Sequence, residues 1–179
     1  MNEIVMAHHG TSDKYMGDGI MAFWNAPLDD PDHAKHAVEA AQEMRSRIVT
    51  LNEAAAEDAR RRDLAVYRPI RIGIGINTGE VCVGNFGSHQ RFDYSIIGDS
   101  VNTASRLEGL TKTYGVELVI GEETAARLDM PLVELDLVAV KGKSQALHIF
   151  TLPPQPIEAA EFGVRHAALL AAYRRRDWE

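Results

Sequence analysis

Short stretches of alternating apolar residues and longer stretches with apolar residues every three or four positions succeed one another along this chain, and that alternation predicts an α/β (α+β) fold with helices packed on a sheet. Three observations carry the prediction. Ala34, Ala37, Val38, Ala41, Met44, Ile48 and Leu51 fall at helical spacing. Ile70, Ile72, Ile74 and Ile76 alternate with small or polar residues, as in a strand. Turn signals, Gly17-Asp18-Gly19 and Thr78-Gly79-Glu80 among them, separate the segments.

Taken in order, Ile4, Val5 and His8 have weak helical spacing, and Gly10 follows where a helix would stop. TSDKYM and IMAFWN flank Gly17-Asp18-Gly19 and predict a tight hairpin with Asp18 at its tip. Asp30-Pro31-Asp32 starts the long amphipathic helix, whose charged end EDARRRD is a solvated turn. IRIGIGINTGEVCVGNFG predicts a second hairpin turning at Thr78-Gly79-Glu80. After FDYSII, a helix opens at Asp99, which can cap it, and ends at Gly115. VELVIG is a short strand, EETAARL a short helix, and LVELDLVAVKGKSQALHIFTL a final pair of strands around Lys141-Gly142-Lys143-Ser144. Pro153, Pro154 and Pro156 make a linker, and residues 158–179 begin a helical region.

Composition narrows the function. A chain of 179 residues, 45% hydrophobic, has the length of one domain of ordinary size. A net charge of −7 argues against nucleic acid or an anionic membrane surface as a partner, because both require a basic face. Any phosphate must therefore be held by a few well-placed groups. Cys82 is the single cysteine, which excludes an internal disulfide and fits a reducing, cytoplasmic setting. No apolar run approaches the roughly 18 residues of a membrane span, so no membrane contact by this chain is expected, while a longer, membrane-anchored parent stays compatible with it.

Three blocks, DKYMGDGIMAFWNAP, RIGIGINTGEVCVGNFG and FDYSIIGDSVNTASRLEGL, stand in this order with a long helix between the first two and KGK after the third. Together they resemble the catalytic domain of the class III adenylate and guanylate cyclases of bacterial type, over roughly residues 1–152. The resemblance implies a ferredoxin-like palm, with helices on a mixed, mostly antiparallel sheet, active as a homodimer or higher oligomer with composite sites. It implies the conversion of ATP, or less favourably GTP, into a 3′,5′-cyclic nucleotide and pyrophosphate in signal transduction. It also implies two divalent cations, Mg2+ or Mn2+, in the complete domain.

The resemblance assigns roles residue by residue. Asp18 matches the second of two metal aspartates, and a carboxylate on a glycine-flanked hairpin tip is suited to ions that meet phosphate. Asn102 and Arg106, four apart on one helix face, match the residues that orient the ribose and contact the α-phosphate. Lys14 matches the lysine that reads adenine N1, and Ser95, two after Asp93, can accept from the adenine amino group, so ATP is favoured. Lys141, with Lys143 as its near alternative, lies where the family places a lysine on the terminal phosphates.

The family's first metal aspartate, on an opening strand, has no match here, so the chain is expected to be an N-terminally truncated domain and to lack activity on its own. A cyclase-like nucleotide-binding or dimerisation module without turnover is the competing reading. No GGDEF or GGEEF stretch occurs, which disfavours a diguanylate cyclase. His33 and His36 are expected to be solvated helix residues, His8-His9 to need no function, Cys82 to pack within its strand, and Phe23 and Trp24 to be core or interface.

Overall fold

The computed structural model describes residues 1–63, 67–88, 91–139, 146–154 and 159–176. In chain order the elements are α1 (Asn2–Ala7), β1 (Thr11–Met16), β2 (Gly19–Phe23), α2 (His33–Arg61), β3 (Ile74–Ile76), β4 (Cys82–Ser88), β5 (Arg91–Ile97), α3 (Asp99–Tyr114), β6 (Leu118–Gly121), α4 (Glu122–Ala125), β7 (Val133–Val138), β8 (Leu147–Thr151) and α5 (Ala159–Arg175).

β6 explains the layering. Its residues Leu118, Val119 and Ile120 are at most 1% exposed, so this strand is buried on both faces and reads as a continuous apolar run. Side chains alternate across a strand. Val119 therefore joins Leu107 of α3 with Leu147 and Ile149 on one face, while Leu118 and Ile120 meet Val38 and Ala41 of α2 on the other. The result is a sheet between two helices, in the order β3-β6-β8-β7, with β3 and β6 parallel and the other pairs antiparallel. This is the mixed, mostly antiparallel sheet expected. One residue of the expected apolar stripe of α2 lies off the buried face: Ile48 and Ala59 are buried, but Leu51 is 46% exposed.

The two hairpins form separate two-stranded sheets, β1-β2 and β4-β5. The first was expected. The second corrects the sequence reading, because β3 does not turn back onto β4 but pairs in parallel with β6, leaving β4 to pair with β5. The cause lies in Asn77-Thr78-Gly79, which does not close a tight turn. Instead Asn77 Nδ2 donates to the Ser100 carbonyl (3.2 Å) and the Thr78 hydroxyl meets that of Thr124 (2.9 Å). Gly98, not Asp99, is the N-cap of α3, and Asp99 lies in the first turn, where its charge meets the positive end of the helix dipole.

Helix α3 lies directly on β3. A Cβ at Gly75 would overlap the Ala104 carbonyl oxygen and the Glu108 backbone nitrogen, both main-chain atoms that no rotamer change can move. Gly75→Ala is therefore expected to cost about 3 kcal/mol and to lower Tm by roughly 10 °C. Thermal unfolding by circular dichroism checks this, and an unchanged Tm would show that α3 has slack against the sheet. At the far end of α3, Tyr114 donates to Asp136 Oδ2 (2.8 Å). Burial, then the hydrogen bond and charge of Asp136, push its phenol up to about 12, so it remains a donor at ordinary pH.

The C-terminal helix packs against β7. His166 Nε2 contacts the Glu134 carbonyl oxygen (2.6 Å), and Arg174 Nη2 and His148 Nδ1 both reach Glu134 Oε1, at 2.6 and 2.5 Å. Burial favours the neutral acid of Glu134, but the hydrogen bonds and charges of Arg174 and His148 outweigh it and hold the carboxyl below its ordinary range.

Candidate functional site

Along a regular strand, successive side chains point to opposite faces. β1 breaks that rule: Ser12 pairs with Ala22 and Lys14 with Met21, so Asp13 is an extra residue, a bulge that re-aims its side chain. Asp13 and Lys14 consequently both reach Ser95 on β5. Lys14 Nζ donates to Ser95 Oγ at 3.0 Å, and the Ser95 hydroxyl donates to Asp13 Oδ2 at 2.7 Å. Lys14 Nζ also lies 3.6 Å from Asp13 Oδ1, with the Asp13 side chain 1% exposed and that of Lys14 47% exposed. The lysine is thus the open end of a buried polar cluster. A ring contact between Phe23 and Tyr94, centroids 6.1 Å apart, joins the same two hairpins.

The structure brings together Lys14 and Ser95, which the sequence had paired, and adds Asp13, which it had not. Lone strand alternation would have sent Asp13 to the other face. The signal that could have found it is an acid beside a lysine in a strand whose partner, IMAFWN, offers no basic residue. Asp18 stands exposed in the turn between β1 and β2, beside Gly17 at φ +64°.

β5 runs into α3 through Gly98, so Ser95, Asn102 and Arg106 sit on consecutive elements. Asn102 is exposed and Arg106 partly buried. The start of the helix is fixed by Asn77 and by Gly79, where any Cβ would overlap Ser100 Oγ. Arg106 Nη1 is buried and has no hydrogen-bond partner among the described residues. A buried unpaired donor costs about 1–3 kcal/mol, and more when charged, so the site lacks an acceptor that an anion would supply. Lys141 and Lys143 lie outside the described residues.

A two-ion centre needs convergent carboxylates. Among the described residues no group of three or more His, Cys, Asp or Glu side chains is placed to hold a metal ion, and Asp18 is a single exposed carboxylate. The described residues do not fit two ions on their own. His36 contacts Asp30 (2.7 Å) and the ring of His9, and builds no ligand set with His33. Trp24 donates to the His8 carbonyl (2.8 Å) and Phe23 is buried, both structural. Cys82 differs from expectation: it is exposed, opposite Ile97 and beside Val81, both also exposed.

The family model of the adenylate and guanylate cyclase catalytic domain matches residues 1–152. The chain belongs to that family. It is 39% identical over 151 residues to adenylate cyclase 1 of Rhizobium meliloti, covering 83% of this chain and 22% of that protein. It is 37% identical over 147 residues to the adenylate cyclase of Anabaena cylindrica, covering 79% of this chain and 28% of that one. The chain thus spans about a quarter of the length of these relatives. Among solved structures it is similar to the adenylyl cyclase CyaB of P. aeruginosa, with TM-score 0.71, 31% identity, and 88% of this chain and 79% of that one covered. It is also similar to the guanylyl cyclase Cya2, with TM-score 0.68, 30% identity, and coverage of 87% and 77%. Cyclases of this family form cyclic nucleotides and generally use divalent metal ions. Among the described residues no helix is long and apolar enough to cross a membrane.

Proposed function

We propose that this cyclase domain takes ATP and makes 3′,5′-cyclic AMP in an intracellular signalling role, with residues 1–152 as the catalytic unit and 153–179 as a linker and the opening of a helical region. The observation that carries the choice of base is the Lys14–Ser95 hydrogen bond, which sets an ammonium donor beside a hydroxyl acceptor. Adenine offers the complement, an acceptor at N1 and a donor at the 6-amino group. Guanine offers a donor at N1 and an acceptor at O6, the reverse. In the reaction the ribose O3′–Pα bond forms, the bond from Pα to the departing pyrophosphate breaks, and the 3′-hydroxyl proton is lost to solvent. Asn102 orients the ribose, Arg106 meets the α-phosphate with the Nη1 that lacks a partner among the described residues, and Lys141 meets the terminal phosphates. Asp18 would be one ligand of a divalent cation, Mg2+ or Mn2+, which would supply charge stabilisation at the phosphates. Given ATP and GTP in parallel with Mn2+, an active form of the protein is expected to make cyclic AMP about ten-fold faster or more. A preference for GTP would overturn the assignment of the base.

A second reading is favoured by one observation. Among the described residues no group of three or more His, Cys, Asp or Glu side chains is placed to hold a metal ion, and Asp18 is exposed, which suits a nucleotide-binding and dimerising module more than a catalyst. The turnover of this chain decides between the two.

A further inference from the structure

We infer that Asp13 is a specificity-determining positioning residue that fixes the hydroxyl of Ser95 as an acceptor and so excludes guanine; the inference rests on the reading of Lys14 and Ser95 as the base-contacting pair. A serine hydroxyl is chemically ambivalent. It carries one proton to donate and two lone pairs to accept, and it rotates to suit whatever it meets. A free Ser95 would accept from the amino group of adenine or donate to O6 of guanine with equal ease, and would discriminate nothing.

Asp13 removes that freedom. The Ser95 proton is committed to Asp13 Oδ2 at 2.7 Å, and a carboxylate accepts hydrogen bonds without offering one in return. One Ser95 lone pair accepts from Lys14 at 3.0 Å. The remaining lone pair can face only a donor, so the 6-amino group of adenine completes the set and O6 of guanine meets a lone pair. Both partners are largely buried, with Ser95 3% exposed and the Asp13 side chain 1% exposed, so little water competes for the Ser95 proton and only the small remaining opening is left for a base. The ammonium of Lys14, 3.6 Å from Asp13 Oδ1, compensates the buried carboxylate and is itself held toward the opening. The bulge at Asp13 is what makes the arrangement possible, since regular alternation would separate Asp13 from Lys14.

Asp13→Asn tests this directly, because it is nearly isosteric and replaces an acceptor-only group with one that can donate its amide proton to Ser95. The Ser95 hydroxyl is then free to turn toward the base. Affinities of the 179-residue chain for ATP and for GTP are measured by competition with a fluorescent nucleotide in Mg2+. Wild type is expected to favour ATP, and D13N to narrow the ATP:GTP ratio by about ten-fold, chiefly by binding GTP better, without inverting it because Lys14 still opposes guanine N1–H. A loss of folding lowers both affinities together, whereas loss of the acceptor lock moves their ratio. D13S, which removes the carboxylate but keeps a small polar group, is made in parallel so that one unfolded variant leaves the other to be read. If S95A and K14A erode the ratio while D13N and D13S leave it at the wild-type value, the role of Asp13 is wrong and the base-reading pair stands. If wild type binds both nucleotides equally, or neither, the pair itself is wrong and the inference falls with it.

Discussion

Replacing Arg106 by alanine is expected to lower the rate of cyclic nucleotide formation by about 100-fold or more in an active form of the protein, while changing substrate affinity by only a few-fold. The guanidinium has a buried Nη1 that no described residue satisfies, so its cost is already present in the free protein. An acceptor whose charge grows as the α-phosphorus is attacked relieves that cost most fully in the transition state, and such an interaction appears in kcat more than in KM. Asn102→Ala is expected to act in the same direction with a smaller effect, because an exposed amide carries no such penalty. The fold should not suffer in either case, as the core contact of α3 runs through Leu107 and not through these side chains. Initial-rate kinetics with ATP would decide it, and a mutant with near-parental kcat would remove Arg106 from the reaction.

The 179-residue chain is expected to turn over ATP at least about 1,000-fold more slowly than a cyclase domain with two metal-binding carboxylates, even at high Mn2+. Fixed ions contribute several kcal/mol to a phosphoryl transition state. Asp18 alone cannot fix two of them, and no metal-binding group of three or more ligands exists among the described residues. The measurement is cyclic AMP formation by the purified chain, with Asp18→Ala run beside it to exclude a contaminating cyclase. Comparable turnover that vanishes in the Asp18 variant would show that another residue of this chain completes the centre, and would remove the case for a binding-only module.

Much of this was legible in the sequence because it depends on local pattern. The α2 stripe, the Gly17-Asp18-Gly19 hairpin and the helix from Asp99 to Gly115 are properties of neighbouring residues, and the structure reproduces them. The pairing of β3 was not legible, since Ile74–Ile76 alternates identically whether its partner is β4 or the distant β6. What decides is where Asn77 and Thr78 find hydrogen bonds, and those partners, Ser100 and Thr124, are far along the chain. For the candidate site the same distinction holds. Lys14 and Ser95 were paired through the resemblance, but Asp13 depended on a one-residue bulge that period-two reasoning cannot foresee. Leu51 was misplaced because spacing of three or four does not fix the edge of a helix's buried face: Ala59, farther along α2, is buried while Leu51 is exposed.

The hairpins of this domain are paired only within themselves, whereas α3 is wedged against β3 at Gly75. The residues proposed to contact the base and those proposed to act on the phosphate therefore ride on two different mechanical units. Lys14, Asp13 and Ser95 tie β1-β2 to β4-β5, and the chain passes from that pair of ribbons to the sheet-locked helix through the single residue Gly98. An isolated two-stranded ribbon is only marginally stable, while a helix seated backbone to backbone has almost no play. A purine seated against Lys14 and Ser95, as proposed, would add a further strut to the softer unit and set its angle to the stiffer one. A base that fits would then be the part that brings the ribose to Asn102 in the proposed site, and discrimination between nucleotides would be expressed in rate as well as in occupancy.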